Sequence, residues 1–409
     1  MMLNSFQVAL VLTIIVYVFY SVFKKKIRSA KVYFCLLFLM TTAGLVYDVQ
    51  QSLEFGESKL FNIVVFIILL LTTMIPWLKF DKWSLSKSQF QLTEYGVSTI
   101  RTVCNIVIVS SVFSILYVMP YAFKSFAIGA GEIRTYLADL KVLPESPLTT
   151  FAVGVGSISP LFITLFFLTM MDMRLKKFQN WIFLSCFTYI FTSMPFMARD
   201  GYVKLPIIFI VNYLAFKSSL DLDSYKKIKR YAVVLLSLSV GLISIYSFSR
   251  FFSNSPDKWD SLMSGTWGYL YQQPYVFDRT IEMQDNWHSV SLRFPILNQI
   301  FGIGSDFEVK RIYDFETMFG TMLSEFYSIS GWDSLIISTL IYVSFYSFCL
   351  DRLMALKNTT GVVLMFMVYI MLQVSGLFYF MYGGTSLNYL IIVLSLAPLF
   401  LKKNIIISE

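Results

Sequence analysis

Ser5–Arg28 reads SFQVALVLTIIVYVFYSVFKKKIR. Its apolar run, Phe6 to Phe23, meets the length of a membrane-crossing helix, about 17–25 residues. No basic residue precedes the run, while Lys24, Lys25, Lys26 and Arg28 follow it, which reverses the polarity of a secretory signal. Lysine and arginine accumulate at the cytoplasmic ends of spans. The stretch is therefore expected to be a first span with its N-terminus outside.

Outward from this stretch the pattern repeats. Apolar segments recur at about 32–48, 60–78, 98–119, 148–171, 180–198, 202–216, 231–248, 331–350, 360–380 and 385–401, which with 5–23 makes eleven expected spans. Of the 33 lysines and arginines, 21 then fall on the cytoplasmic side, 6 in short outside segments and 6 in one long outer loop. The C-terminus is expected in the cytoplasm. With 56% apolar and only 14% charged residues, a soluble multidomain protein is excluded. The net charge of +8 does not point to nucleic acid, because the cations sit in short loops at alternate span ends. Cys35, Cys104, Cys186 and Cys349 all lie within apolar stretches, so neither a disulfide framework nor a zinc site is expected.

The expected fold is all-α and polytopic, in three parts. Residues 1–248 hold eight spans and a short outer loop near 120–147; 249–330 form a large, structured outer loop; 331–409 hold three more spans. No internal repeat of the kind common in transporters is visible. Within the large loop, 266–283 and 289–300 have helix-like apolar spacing suited to helices lying at the membrane interface.

Chemistry-bearing residues concentrate outside. Arginine at a membrane edge is costly and tends to be functional. Arg199, beside Asp200 and Gly201, would present a fixed guanidinium able to grip phosphate oxygens bidentately. The competing reading is a pair with Asp200, or snorkelling to the headgroups. Arg250, Arg279 and Arg293 add positive charge in the long loop, where they would serve a lipid pyrophosphate or anchor the loop to anionic headgroups. His288, the single histidine, has the ordinary pKa of a general base, and beside Trp287 it is equally an amphipathic packing residue. Asp278, Glu282, Asp285, Glu316 and Glu325 are alternative bases, with Glu325 notable just ahead of a span. Trp267, Tyr269 and Tyr271 could stack on sugar faces, although an interfacial aromatic belt is the commoner cause of such residues. No metal-ligand cluster and no paired-carboxylate spacing is evident.

Three segments resemble the oligosaccharide repeat unit polymerases, the O-antigen (Wzy-type) polymerase group of bacterial membrane proteins. They are Met197-Ala198-Arg199-Asp200-Gly201 opening a span, Thr266–Pro274 in the outer loop (TWGYLYQQP), and Phe319–Tyr327 (FGTMLSEFY) running to Gly331. Arg293, followed by ten residues and then Gly304, matches a spacing of the family's outer loops.

The resemblance implies a glycosyltransferase of the bacterial inner membrane, needing no metal or cofactor, that works at the periplasmic face. Its substrates would be undecaprenyl-pyrophosphate-linked oligosaccharides: a growing glycan as donor and a single repeat unit as acceptor. Membrane lipids, a chain-length regulator and a flippase would be its partners. Arg199 and Arg279 would hold pyrophosphate with support from Arg293, and His288 or Glu325 would orient the acceptor hydroxyl. A ligase transferring finished glycan to lipid A core shares these features. A flippase of lipid-linked oligosaccharide fits less well, for want of halves and of charges within spans.

Overall fold

The computed structural model describes residues 2–46, 57–85, 89–128, 142–196, 200–251, 270–283, 320–378, 385–401 and 405–408. These are almost wholly helical. The chain begins with α1 (Ser5–Phe23), α2 (Lys31–Val46), α3 (Leu60–Thr72) and α4 (Ile75–Leu85). It continues through α5 (Glu94–Ile128), α6 (Pro147–Ile158), α7 (Pro160–Met170), α8 (Gln179–Ser185), α9 (Thr188–Ser193), α10 (Asp200–Phe216) and α11 (Leu222–Phe251). Then come α12 (Gln273–Met283), α13 (Met322–Ser330), α14 (Trp332–Ala355), α15 (Thr359–Phe378) and α16 (Thr385–Leu396). Two short antiparallel strand pairs complete the described elements: β1 (Met2–Leu3) with β2 (Ser58–Lys59), and β3 (Gln89–Leu92) with β4 (Ile405–Ser408).

Among the described residues, six helices are long and apolar enough to cross a membrane, or seven if the bent pair α6–α7 counts as one span. They are α1, the α3–α4 segment, α5, α11, α14 and α15. The protein is therefore an all-α molecule of membrane type, and six or seven such helices stand where the sequence suggested eleven spans. The remaining segments are short or broken. The stretch near 180–198 divides into α8, α9 and a 3-10 turn, Met194–Phe196. The α10 helix has 17 residues and α16 only 12.

Other boundaries move as well. The expected outer loop near 120–147 is helical at its start, because α5 continues through Pro120 to Ile128. The Ser125 hydroxyl, beyond that proline, donates to the Pro195 carbonyl at 2.8 Å. The α11 helix starts nine residues before the expected span at 231 and runs to Phe251, past the loop boundary placed at 249. Ahead of α14, α13 ends at Gly331, whose φ of 80° lies in the left-handed region that glycine occupies without a Cβ clash.

The chain divides into two compact units. The first comprises Met1–Trp83, Met263–Arg352 and Leu372–Leu399. Its α1 starts with a capping box, the Gln7 N–H donating to Asn4 Oδ1 at 2.9 Å and the Asn4 N–H to Gln7 Oε1 at 3.1 Å. The turn into α2 closes on a buried carboxylate. Asp81 accepts from the backbone N–H groups of Arg28, Ser29 and Ala30 at 2.7, 3.1 and 2.9 Å, and from the Ser29 hydroxyl at 2.6 Å. Those amides open a helix and lack intrahelical acceptors, so Asp81 supplies them from a distance. Deeper in the unit, the Gln373 amide donates to the Tyr33 and Thr73 hydroxyls at 2.9 and 2.7 Å, and its carbonyl accepts from Tyr342 at 3.1 Å.

The second unit comprises Ser84–Leu262, Leu353–Met371 and Phe400–Glu409. Between α6 and α7 the axis bends by 55° where Pro160 denies the helix an N–H. The Ser159 hydroxyl at this break accepts the Tyr189 N–H at 2.9 Å. Pro206 lies inside α10, two residues beyond a buried lysine, Lys204, whose Nζ sits 5.9 Å from the Tyr189 ring centroid. The β3–β4 pair is tied to this unit by the Phe90 N–H donating to the Ser219 hydroxyl (2.7 Å) and the Ile405 N–H donating to the Thr360 hydroxyl (2.8 Å).

Candidate functional site

The described part of the long loop contains α12, and this helix does not lie on the surface of its unit. The stretch from Tyr271, two residues ahead of it, to Asp278 is buried throughout, as is Thr280. Three anchors seat α12 against other helices of its unit.

The first anchor is Tyr271, fully enclosed, whose ring fills a notch over Gly44 near the end of α2. A Cβ on Gly44 would stand 1.9 Å from that ring, so only glycine fits beneath it. The second is Tyr275, whose hydroxyl lies 3.0 Å from both the Ser5 hydroxyl at the start of α1 and the Tyr271 hydroxyl. The third is Asp278, whose carboxylate accepts from the Asn62 amide at 2.7 Å at the start of α3. Phe277 adds ring contact with Phe66 of α3, the centroids 5.3 Å apart. This helix and the tyrosine just ahead of it thus tie together the start of α1, the end of α2 and the start of α3.

At the open side of this seat lies a small charge cluster. Arg279 Nη1 donates to Glu282 Oε2 at 3.0 Å, and Lys59 Nζ of β2 stands 3.4 Å from the other oxygen, Glu282 Oε1. Two cations thus share one carboxylate. The Arg279 side chain keeps about a quarter of its surface in solvent (24%) and Lys59 more than half (55%). Burial pushes the Asp278 carboxyl above the usual carboxylate range. Hydrogen bonds from Asn62, Ser58 and the Lys59 N–H oppose that shift, and the negative charge of Glu282 reinforces it. Arg279 and Lys59 together outnumber Glu282, and both keep solvent-reachable donors near the ends of apolar helices. Such an arrangement can attract and orient a phosphate-bearing group.

The sequence candidates are distributed unevenly over this arrangement. Arg279 is in the cluster. Glu325, half-buried, lies on α13, which packs against α12 where Gly320 meets Val276. Tyr271 is a corrected candidate: its ring is enclosed, so it offers no face to a sugar, and its part is to seat α12. Arg199, His288, Arg293, Trp267 and Tyr269 lie outside the described residues, as does the side chain of Arg250 in the last turn of α11. Lys59 and Asn62 were missed by sequence reasoning. Both stand at the mouth of a span, and a polar pair there was the available signal. Lys204 was also passed over, although a lysine inside an apolar helix is costly enough to draw notice.

Comparison with protein-family models, with curated proteins and with solved structures finds no match for this chain.

Proposed function

We propose that this protein polymerises undecaprenyl-pyrophosphate-linked oligosaccharide repeat units at the outer face of a bacterial inner membrane, on a frame of eleven or so spans with its N-terminus outside. The observation that carries the proposal is the seat of α12: a segment of the long outer loop, packed onto the ends of apolar helices, with Arg279 and Lys59 at its solvent side. A lipid-borne pyrophosphate resides at that depth. The three segments resembling the polymerase group support the same reading.

In the reaction, the acceptor hydroxyl oxygen attacks the anomeric carbon of the donor glycan. The bond from that carbon to the pyrophosphate oxygen breaks, and undecaprenyl pyrophosphate leaves with the electron pair. The acceptor's proton passes to a nearby base. Arg279, with Arg199 and Arg293, stabilises the negative charge on the leaving group, while Glu325 or His288 orients the acceptor hydroxyl. Binding the donor would require Arg279 to exchange its Glu282 partner for phosphate oxygens, with Lys59 retaining the carboxylate.

The test is the polymer length profile of a deletion strain complemented with the wild-type chain or with Arg279→Ala, at matched protein levels. Loss of the long-chain ladder with the single repeat unit preserved is the expected outcome. A full ladder from the variant would sink the arginine's role. Loss of the single-repeat species as well would redirect the assignment to a ligase or flippase.

A further inference from the structure

The charge cluster at the seat of α12 is centred on one carboxylate with two holders. Asp278 and Glu282 stand a turn apart on the same face of α12, and Arg279 reaches Glu282 over three residues. The short strand β2 lies against this helix. Its Ser58 side chain and Lys59 N–H hydrogen-bond to Asp278, and Met2 of β1 pairs opposite Lys59, so the backbone there is held from both sides. The Lys59 side chain is not enclosed: it is more than half exposed and ends 3.4 Å from Glu282 Oε1. Arg279 and Glu282 keep only 24% and 15% of their side-chain surface in solvent.

A carboxylate bridged by two cations stands where a pair of phosphate oxygens would have to bind. While Glu282 holds Arg279, that guanidinium is engaged, and the apparent affinity for an incoming anion falls with the fraction of molecules in which it is available. The two grips are unequal. Arg279 bonds its oxygen at 3.0 Å and is the less exposed, whereas Lys59 holds the other oxygen more loosely from the solvent side. An anion that takes Arg279 therefore leaves Glu282 with a counter-charge still in reach. An ion pair with this much water around it shifts such an equilibrium by about two- to fivefold, which a multiply charged group can overcome.

We propose that Glu282 is a displaceable anion built into the pyrophosphate site and that Lys59 is its receiver. Arrival of a pyrophosphate moves the carboxylate from Arg279 onto Lys59, and its return to Arg279 helps the pyrophosphate to leave. Lys59 is then a positioning residue, acting on affinity through Glu282. The inference rests on the reading of Arg279 as a pyrophosphate ligand.

The experiment is calorimetric titration of the full chain in detergent with inorganic pyrophosphate, arranged as a double-mutant cycle. Glu282→Gln should bind about two- to fivefold tighter than wild type. Glu57→Gln, which neutralises an exposed carboxylate two residues before Lys59, should leave the affinity unchanged. Lys59→Gln should weaken binding in the wild-type background and have little further effect in Glu282→Gln. Unchanged affinity in Glu282→Gln would overturn the displaceable carboxylate, and equal tightening by Glu57→Gln would reduce it to diffuse charge. Equal weakening by Lys59→Gln in both backgrounds would make Lys59 a direct ligand and end its role as receiver. Each of these failures leaves the reading of Arg279 standing, provided that Arg279→Gln abolishes binding. Pyrophosphate bound as well by Arg279→Gln as by wild type, or by no variant at all, would overturn that reading and the inference together.

Discussion

Two aspartates, one in each unit, behave in opposite ways. Asp278 is buried in the seat of α12 and hydrogen-bonded by a neutral amide, and its carboxyl is pushed above the usual range. Asp172 opens the 3-10 turn Met173–Phe178, with its oxygens 3.0 and 2.8 Å from Arg174 Nε and Nη2, and is held below that range chiefly by those charge-assisted bonds. Arg174 in turn reaches Glu94 at 2.5 Å. Similar carboxylates thus differ because one trades water for uncharged donors while the other, less fully buried, gains a guanidinium that outweighs its desolvation. Partner charge and burial decide each sign, and each region should answer differently to mutation, pH and salt.

The largest expected effect bears on the buried seat. Tyr271→Ala should cost about 3–5 kcal/mol, as for other enclosed aromatic side chains, read as a lowered melting temperature in detergent. Gly44→Ala alone should also destabilise, by overpacking, yet become nearly neutral in the Tyr271→Ala background. Additive losses would show that the ring and the glycine do not share the notch. Next, Asp278→Ala should cost about 1–3 kcal/mol, because it strands the buried Asn62 amide. Asp278→Asn keeps an acceptor for that amide and should cost less.

The pH response sharpens the contrast. A carboxyl whose folded pKa is raised binds its proton more tightly when folded, so the Asp278 seat loses stability as pH rises from about 3.9, the ordinary value, through the raised one. Asp278→Asn should flatten that part of the melting profile, and an unchanged slope would remove Asp278 from the account. Asp172 has the opposite sign: its contribution is present above the ordinary value and fades as pH falls through the lowered one. The smallest effect is therefore expected for Asp172→Asn, a change at the margin of a thermal melt that disappears in high salt, because exposed ion pairs contribute little.

What the sequence made legible follows from length and period. The runs at Ser5–Phe23 and Thr359–Phe378 are long and uninterrupted, so their helices were readable almost to the residue. The extents of α5 and α11 were not, because polar turns flanking an apolar run remain helical when hydrogen bonding is satisfied within the helix. The breaks at Ser159–Pro160 and Gly331 carried signals, a proline and a glycine, but their consequence depends on what packs around them. The site was legible only in part. Arg279 stood out by charge, whereas the enclosure of Tyr271 rests on Gly44, more than 200 residues away, and no local pattern announces such a pair. Asn62 and Lys59 were hidden for the same reason.

The β3–β4 ladder carries a different consequence, one of timing. Leu92 pairs with Ile405, more than 300 residues later in the chain. A ribosome adding about 5–20 residues per second takes on the order of 15–60 s to deliver the second strand after the first. Through that interval the nascent Gln89–Leu92 edge has no ladder partner of its own. During biogenesis it must be shielded by the insertion machinery or by a chaperone, or it will pair with the wrong neighbour.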